Sequence, residues 1–304
     1  MKKFIAFIFL YYFAFLSVFS INTKGNEYVN TSIVNGEIEI PRPPSTLNTT
    51  HEKAEFMIIN FWNPLNFNDT TFTRDENFIE QNFVNFISIF PYAEPQSRKE
   101  AVFNLLNKSK IDPKTYASFM DVANKYLYDT DSPMINEDYY LPFMEFVAQD
   151  EDSSKAYKEM ALYTIESINK NRPGTPAADF EFYDKEGITR SLHSLFPDRE
   201  TMLIFFDPEC ENCKNVITEI CQNPQIAQRV DEGNLGIVAV YSGINLTMWL
   251  RELPLFPDNW IVGHEPEIID YKELYDIRSL PTILLLGPDK TVIEKNFNIN
   301  SFSK

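Results

Sequence analysis

The sequence predicts two folded parts in tandem: an all-α helical domain over residues 48–170, then an α/β domain with a mixed sheet flanked by helices over residues 171–304. Three observations carry this. Apolar residues recur at three- and four-residue spacing through the first part. Arg172-Pro173-Gly174-Thr175-Pro176 then breaks the pattern, and β-branched and aromatic runs alternate with helical stretches beyond it. Finally, Cys210-Glu211-Asn212-Cys213 stands where a wholly apolar run meets a helical one.

Composition bounds the reading before any motif is used. The 304 residues, 44% hydrophobic and 23% charged, suit about two domains of ordinary size. They exclude wholesale disorder, collagen, coiled coil and a polytopic membrane protein. With 9 glycines and neither a GxGxxG nor a GxxxxGK[ST] stretch, no glycine-rich phosphate loop is expected. The 44 acidic against 27 basic residues give a net charge of −17, a surface that repels nucleic acid and anionic lipid, so no nucleic-acid partner is expected. Three cysteines are too few for a disulfide scaffold, and any role they have comes from placement.

The first element, residues 1–21, reads as a secretory signal peptide. Met1-Lys2-Lys3 precedes an apolar run from Phe4 to Phe19 that ends at the small Ser20. The run is shorter than the roughly 20 residues of a comfortable membrane span, although a retained N-terminal anchor is the alternative. No cysteine follows it before Cys210, which excludes a lipid-anchored lipoprotein. The mature chain is expected to be periplasmic or secreted, without stable membrane insertion after cleavage, where disulfides persist. Residues 22–47 are polar and contain Pro41-Arg42-Pro43-Pro44-Ser45, which suits a linker rather than helix or central strand.

In the helical part, Ala54, Met57, Ile58 and Phe61 share one face, as do Phe78, Ile79, Phe83, Phe86, Ile87 and Phe90. Asp112 with Pro113 opens a helix carrying Tyr116, Phe119, Met120 and Ala123. Asn136 or a neighbour opens the next, with Tyr140, Phe143, Met144 and Val147, and a last helix over 153–169 carries Ala156, Met160, Tyr163 and Ile168. Five or six such helices make a compact domain.

In the α/β part, residues 180–183 and 188–191 flank Asp184-Lys185-Glu186-Gly187, a hairpin signal. Residues 202–206 form an apolar run ending at Asp207-Pro208, and a helix follows through Cys221. Residues 235–241 and 282–286 are further buried-type strands, and 291–295 completes a second hairpin across Gly287-Pro288-Asp289-Lys290. Helical stretches near 246–253 and 267–275 fill the gaps.

The chemistry follows from where the CxxC lies. A sulfur at a helix N-terminus faces the free N–H groups of the first turn and the positive end of the helix dipole, which favours its thiolate. A second sulfur three residues on sits one turn inside, on the same side and more buried, placed to attack a mixed disulfide formed at the first. Cys210 is therefore the expected attacking thiolate and Cys213 the resolving one. The alternatives are a zinc half-site, for which Cys221, His51, His193 and His264 offer no matching spacing, and a static structural disulfide. No metal and no bound cofactor is expected, because the two cysteines carry the electrons.

A strand ending in Phe205-Phe206-Asp207-Pro208-Glu209-Cys210-Glu211-Asn212-Cys213-Lys214, followed by Ser279-Leu280-Pro281-Thr282 leading into an apolar strand, resembles the thioredoxin fold. The approach through Pro173-Gly174-Thr175-Pro176-Ala177-Ala178-Asp179-Phe180, with Trp249 and Tyr275-Asp276-Ile277, is similar to the extracytoplasmic TlpA/ResA-type thiol-disulfide oxidoreductases and their peroxiredoxin relatives (AhpC/TSA-related). The resemblance covers about residues 173–296 and implies a thioredoxin-like α/β domain with an N-terminal hairpin extension. It also implies a cis bond before Pro281, which lies against the CxxC, and a Leu280 that presents backbone groups to a substrate chain. Upstream, Phe61-Trp62-Asn63, Phe67-Asn68-Asp69 and Tyr126-Leu127-Tyr128-Asp129 resemble a bacterial helical domain of unassigned function that precedes such modules.

Departures from that family refine the expectation. Acids flank Cys210, and each carboxylate about 6 Å away costs the thiolate roughly 0.7 kcal/mol in a water-like dielectric. Destabilising the thiolate destabilises the reduced pair, so the expected role is a reductant of protein disulfides, resupplied by a redox partner protein. The peroxidase pattern Pro-x-x-x-Thr/Ser-x-x-Cys is absent, since counting back from Cys210 meets Asp207 and Leu203, and from Cys213 meets Cys210 and Phe206. Cys221, two turns beyond Cys213, is expected to be a buried apolar thiol. Only eight residues, read as polar, follow the second hairpin, so part of the helical domain is expected to pack where a closing helix would lie. The alternative function is a non-catalytic binding protein with a structural CxxC disulfide.

Overall fold

The computed structural model describes residues 32–265 and 273–303. The expected signal peptide, the start of the expected linker and most of the helical stretch expected at 267–275 lie outside the described residues. By its own internal contacts the chain divides into two compact units, Met1–Asp112 and Pro113–Lys304.

In the first unit, the stretch expected as a linker contains a two-stranded hairpin, β1 (Ile33–Val34) with β2 (Glu37–Ile38). Asn35 and Gly36 turn it with φ of 54° and 81°, the left-handed pair that a tight hairpin demands. The hairpin is not free chain. Ile38 is buried, and its N–H donates to Asn82 Oδ1 at 2.7 Å, while the Asn82 amide donates to the Phe78 carbonyl at 2.7 Å.

Among the described residues of this unit there are four α-helices: α1 (Thr50–Asn60), the short α2 (Thr70–Thr73), α3 (Glu76–Ile87) and α4 (Pro95–Ser109). Helix α1 begins with a capping box in which Thr49 and Glu52 satisfy each other's backbone donors. Phe61, Trp62, Phe86 and Phe90 make a chain of ring contacts at the centre, with centroids 4.9 to 5.8 Å apart.

The second unit opens with three helices, α5 (Pro113–Leu127), α6 (Glu137–Gln149) and α7 (Lys155–Asn169). Asn136 caps α6 by accepting from the Tyr139 N–H, as its side chain predicts. The apolar stripe expected on α7 is corrected. Met160 and Tyr163 are exposed, and the buried face is Ala161, Thr164, Ser167 and Ile168. Small residues at 161 and 164 let α7 approach its neighbour closely, which a Met and a Tyr there would prevent.

The same unit contains a seven-stranded mixed sheet. Its strands are β3 (Glu181–Asp184), β4 (Thr189–Ser191), β5 (Glu200–Phe206), β6 (Leu235–Tyr241), β7 (Ile261–His264), β8 (Thr282–Leu286) and β9 (Val292–Lys295), in the order β4-β3-β7-β6-β5-β8-β9. β5 runs parallel to β6, and β6 to β7; the other pairings are antiparallel. β5 and β6 are buried along almost their whole length because both faces of the sheet are covered. Alternate residues enter two cores, Met202, Ile204 and Phe206 on one face, Leu203 and Phe205 on the other. β7 was not evident in the sequence. It contains Gly263, where a Cβ would lie 2.1 Å from the Phe182 ring, so the residue that admits Phe182 is the one that hides the strand.

Among the described residues three α-helices belong to the sheet: α8 (Glu211–Gln222), α9 (Pro224–Asp231) and α10 (Leu246–Glu252). The tail is less polar in effect than its composition implies. Phe297 and Ile299 are buried in the core that holds Cys213 and Ile220, Phe302 packs against it, and residues 299–303 form a 3-10 turn. Beside this tail, α6 and α7 are joined to β9, where Lys295 Nζ donates to Glu137 Oε2 at 2.8 Å and to the Ser167 carbonyl at 3.5 Å. At the same edge residues 174–177 pair with 290–292, Gly174 N–H donating to the Val292 carbonyl and Val292 N–H to the Thr175 carbonyl, both at 2.8 Å.

Candidate functional site

The sheet register brings the CxxC to the expected proline. β5 and β8 are antiparallel with Phe205 opposite Thr282, so the chain leaving β5 and the chain entering β8 meet at one end of the sheet. Beyond β5, Asp207 makes a tight turn, its Oδ1 accepting from the Glu209 N–H at 2.7 Å and its carbonyl from the Cys210 N–H at 3.1 Å. Helix α8 then begins with Cys210 as its cap. Cys210 Sγ accepts from the Cys213 N–H at 3.3 Å.

The two sulfurs have different surroundings. Cys210 is half-buried, and Cys213 is fully buried in the core beneath α8. Burial pushes the Cys213 thiol up to about 12, the neighbouring Cys210 sulfur acts in the same direction, and a hydrogen bond from the Asp207 backbone opposes them. Both cysteines are free thiols.

The Leu280-Pro281 bond is cis. The Leu280 carbonyl faces the helix start and accepts from Cys210 Sγ at 3.5 Å and from Asn212 Nδ2 at 3.5 Å. The four residues expected at the site, Cys210, Cys213, Leu280 and Pro281, are thus brought to one place, Pro281 beside Asn212 on its rim. Asn212 is a member that the sequence reading passed over. A polar residue between the cysteines, where the resembling family usually carries Gly-Pro, is the signal that could have found it.

A cavity of about 260 Å³ lies on the other flank of α8, lined by Phe206, Pro208, Cys213, Ile217, Cys221 and Phe256. Cys221 is exposed there, which corrects the expected burial. Eight residues turn an α-helix about 80° past two full turns, so Ile220 rather than Cys221 falls beneath Cys213. His193 and His264 hold backbone, their Nε2 atoms 2.8 Å from the Ala177 carbonyl and 2.7 Å from the Gly243 carbonyl.

A second feature invisible in the sequence reading is a buried ionic cluster two residues ahead of Leu280. The Arg278 guanidinium lies 3.8 Å from the Tyr128 ring centre and donates to the Tyr128 carbonyl at 2.6 Å and to Glu137. Its Nε is 3.0 Å from Asp276 Oδ2, and Lys295 joins both acids. Glu137, Asp276 and Lys295 are 12, 8 and 7% exposed, so the pairing occurs largely out of water.

Comparison with known proteins agrees with this architecture. A family described as "Domain of unknown function (DUF5106)" matches residues 20–171. The crystal structure of a thioredoxin-like protein from Bacteroides caccae is similar at a TM-score of 0.79 and 31% identity, over 86% of this chain and 95% of that one. The C-terminal domain of an uncharacterized protein from Bacteroides fragilis aligns at 31% identity, over 43% of this chain and 94% of that one, with a TM-score of 0.42. The thioredoxin domain of a thiol-disulfide oxidoreductase from Bacteroides vulgatus aligns at 18% identity, over 43% and 92%, with a TM-score of 0.39. No curated protein matches the chain. The chain belongs to the thioredoxin-like proteins, with a DUF5106 domain as its N-terminal half.

Proposed function

We propose that this protein is a thiol-disulfide oxidoreductase that reduces disulfides of protein substrates outside the cytoplasm. The observation that carries the reading is the unequal pair of thiols. One, Cys210, is half-buried, caps a helix and touches the Leu280 carbonyl; the other, Cys213, is buried one turn behind it.

The Cys210 thiolate attacks one sulfur of a substrate disulfide, forming a mixed disulfide and releasing the other sulfur as a thiolate that takes a proton. Cys213 then loses its proton, attacks Cys210 Sγ and expels the second substrate sulfur. The substrate gains two electrons and two protons, and the protein is left with a bond between Cys210 and Cys213. In this reading Leu280 and Pro281 shape the substrate groove, residues 171–304 carry the chemistry, and a redox partner protein restores the dithiol. Burial and the Asp207 charge, which both disfavour the Cys213 thiolate and with it the reduced pair, support a reducing direction. The basic start and apolar run of residues 1–21 support export. Among the described residues no helix is long and apolar enough to cross a membrane.

The test is insulin reduction with the wild type, Cys210→Ser and Cys213→Ser, combined with trapping. Activity that disappears in both variants, with partners held as mixed disulfides on Cys210 in Cys213→Ser, supports the proposal. Background activity in all three forms would leave a non-catalytic binding role instead.

A further inference from the structure

Alongside the cysteines, on the flank of α8 opposite the Cys221 cavity, lies a groove of about 320 Å³. It is lined by Asn212, Val216, Pro281 and Ile283, and by Thr130 and Ile135 from the loop between α5 and α6. That loop is not part of the sheet or its helices; it comes from the helical segment that precedes them. It is nevertheless held in fixed register with the residues ahead of Pro281, since Arg278 stacks on Tyr128 and bonds both ends of the loop, Tyr128 through its carbonyl and Glu137 through its carboxylate. Within the loop, Asn136 N–H donates to the Leu127 carbonyl at 2.9 Å and Ser132 Oγ to the Tyr126 carbonyl at 2.7 Å.

We propose that Thr130 and Ile135 are specificity-determining residues of the site. They close a groove that receives an apolar side chain standing one or two residues from the disulfide-bonded cysteine of an extended polypeptide. The inference rests on the redox reading above. The occupant follows from continuity: Asn212 and Pro281 belong both to the cysteine site and to the groove, so a chain lying on Leu280 and Pro281 passes directly into it. Its lining mixes apolar Val216, Ile283, Phe297 and Ile299 with polar Ser279 and Glu219, its size suits one or two side chains, and the apolar members are the ones that favour Leu over Ser. A chain that follows this path from the cysteine over Leu280 and Pro281 into the groove lies extended along it. The residue selected is therefore in an extended or locally unfolded segment.

The experiment uses the full-length protein, reduced beforehand, and two hexapeptides whose cysteine is disulfide-bonded to glutathione. One carries Leu and the other Ser at the positions flanking the cysteine. Each turnover oxidises the protein pair and releases one peptide thiol and one glutathione, so single-turnover rates are read from free glutathione. The wild type is expected to prefer the Leu peptide roughly tenfold, the scale that an apolar pocket supplies. Ile135→Ser should reduce that preference to about twofold or less, and Thr130→Trp, an exposed position tolerant of change, should do so by filling the groove. Equal rates for both peptides in the wild type, or a preference unchanged in both variants, overturns the assignment while leaving the redox reading intact. Failure of the wild type to react with either peptide removes the redox reading and this inference with it.

Discussion

The Cys213 backbone N–H donates to Cys210 Sγ at 3.3 Å, so the helix offers a free donor of its first turn to one sulfur while it buries the other. This asymmetry predicts the order of alkylation. With iodoacetamide at pH 7 under native conditions, Cys210 and the exposed Cys221 are expected to label first and Cys213 last. Burial raises the Cys213 thiol, so its labelling should increase with each pH unit toward about 12, whereas an ordinary thiol levels off near 9. Peptide mass spectrometry of a pH series checks both; equal labelling of Cys210 and Cys213 at pH 7 would refute the asymmetry.

The ionic cluster makes a prediction about stability. Arg278→Ala leaves Glu137 and Asp276 with Lys295 as the remaining cation of the cluster. Removing one partner from such a buried set costs about 3 kcal/mol. Urea unfolding should show the loss in the transition of the second unit, and Arg278→Lys should recover only part of it, because an ammonium neither stacks flat on Tyr128 nor presents the planar fork of donors that a guanidinium does.

A third prediction concerns boundaries. A chain of residues 113–304 is expected to unfold cooperatively, because α5 to α7 share one compact unit with the sheet. A chain of residues 171–304 lacks Tyr128 and Glu137, leaves Arg278 and Lys295 facing no partner on that side, and should have a lower urea midpoint and a tendency to associate. Equal midpoints for the two chains would show that the helices contribute nothing to the sheet.

In the first unit, Asn82→Ala should release the β1–β2 hairpin. Asn82 is fully buried and holds the Ile38 N–H and the Phe78 and Gly36 carbonyls. Leaving those groups unpaired costs about 2 kcal/mol. Limited proteolysis should then cut near residues 33–38 faster than in the wild type.

Much of this structure was legible because its signals are local. The cap at Cys210, the hairpins around Gly187 and Asp289, the helix starts at Pro113 and Asn136, and the proline before β8 each follow from a few adjacent residues. What escaped depends on distant partners. Arg278 reads as a solvated charge until Glu137, 141 residues earlier, folds against it. The buried face of α7 is decided by how closely its neighbour approaches, and Gly263 interrupts an apolar run for the sake of Phe182. The Asn35-Gly36 turn was legible too, but a proline-rich neighbourhood masked it.

The pairing of residues 174–177 with 290–292 has a last consequence. A sheet ending in an open strand offers its backbone to any other chain, and successive copies can add to it without limit. Here the segment that leads into the sheet lies along that margin, and Pro176 bridges Thr291 while lacking an N–H of its own to offer outward. That margin is thus guarded against strand-by-strand polymerisation, which is useful to a molecule whose proposed work is to meet partly unfolded chains.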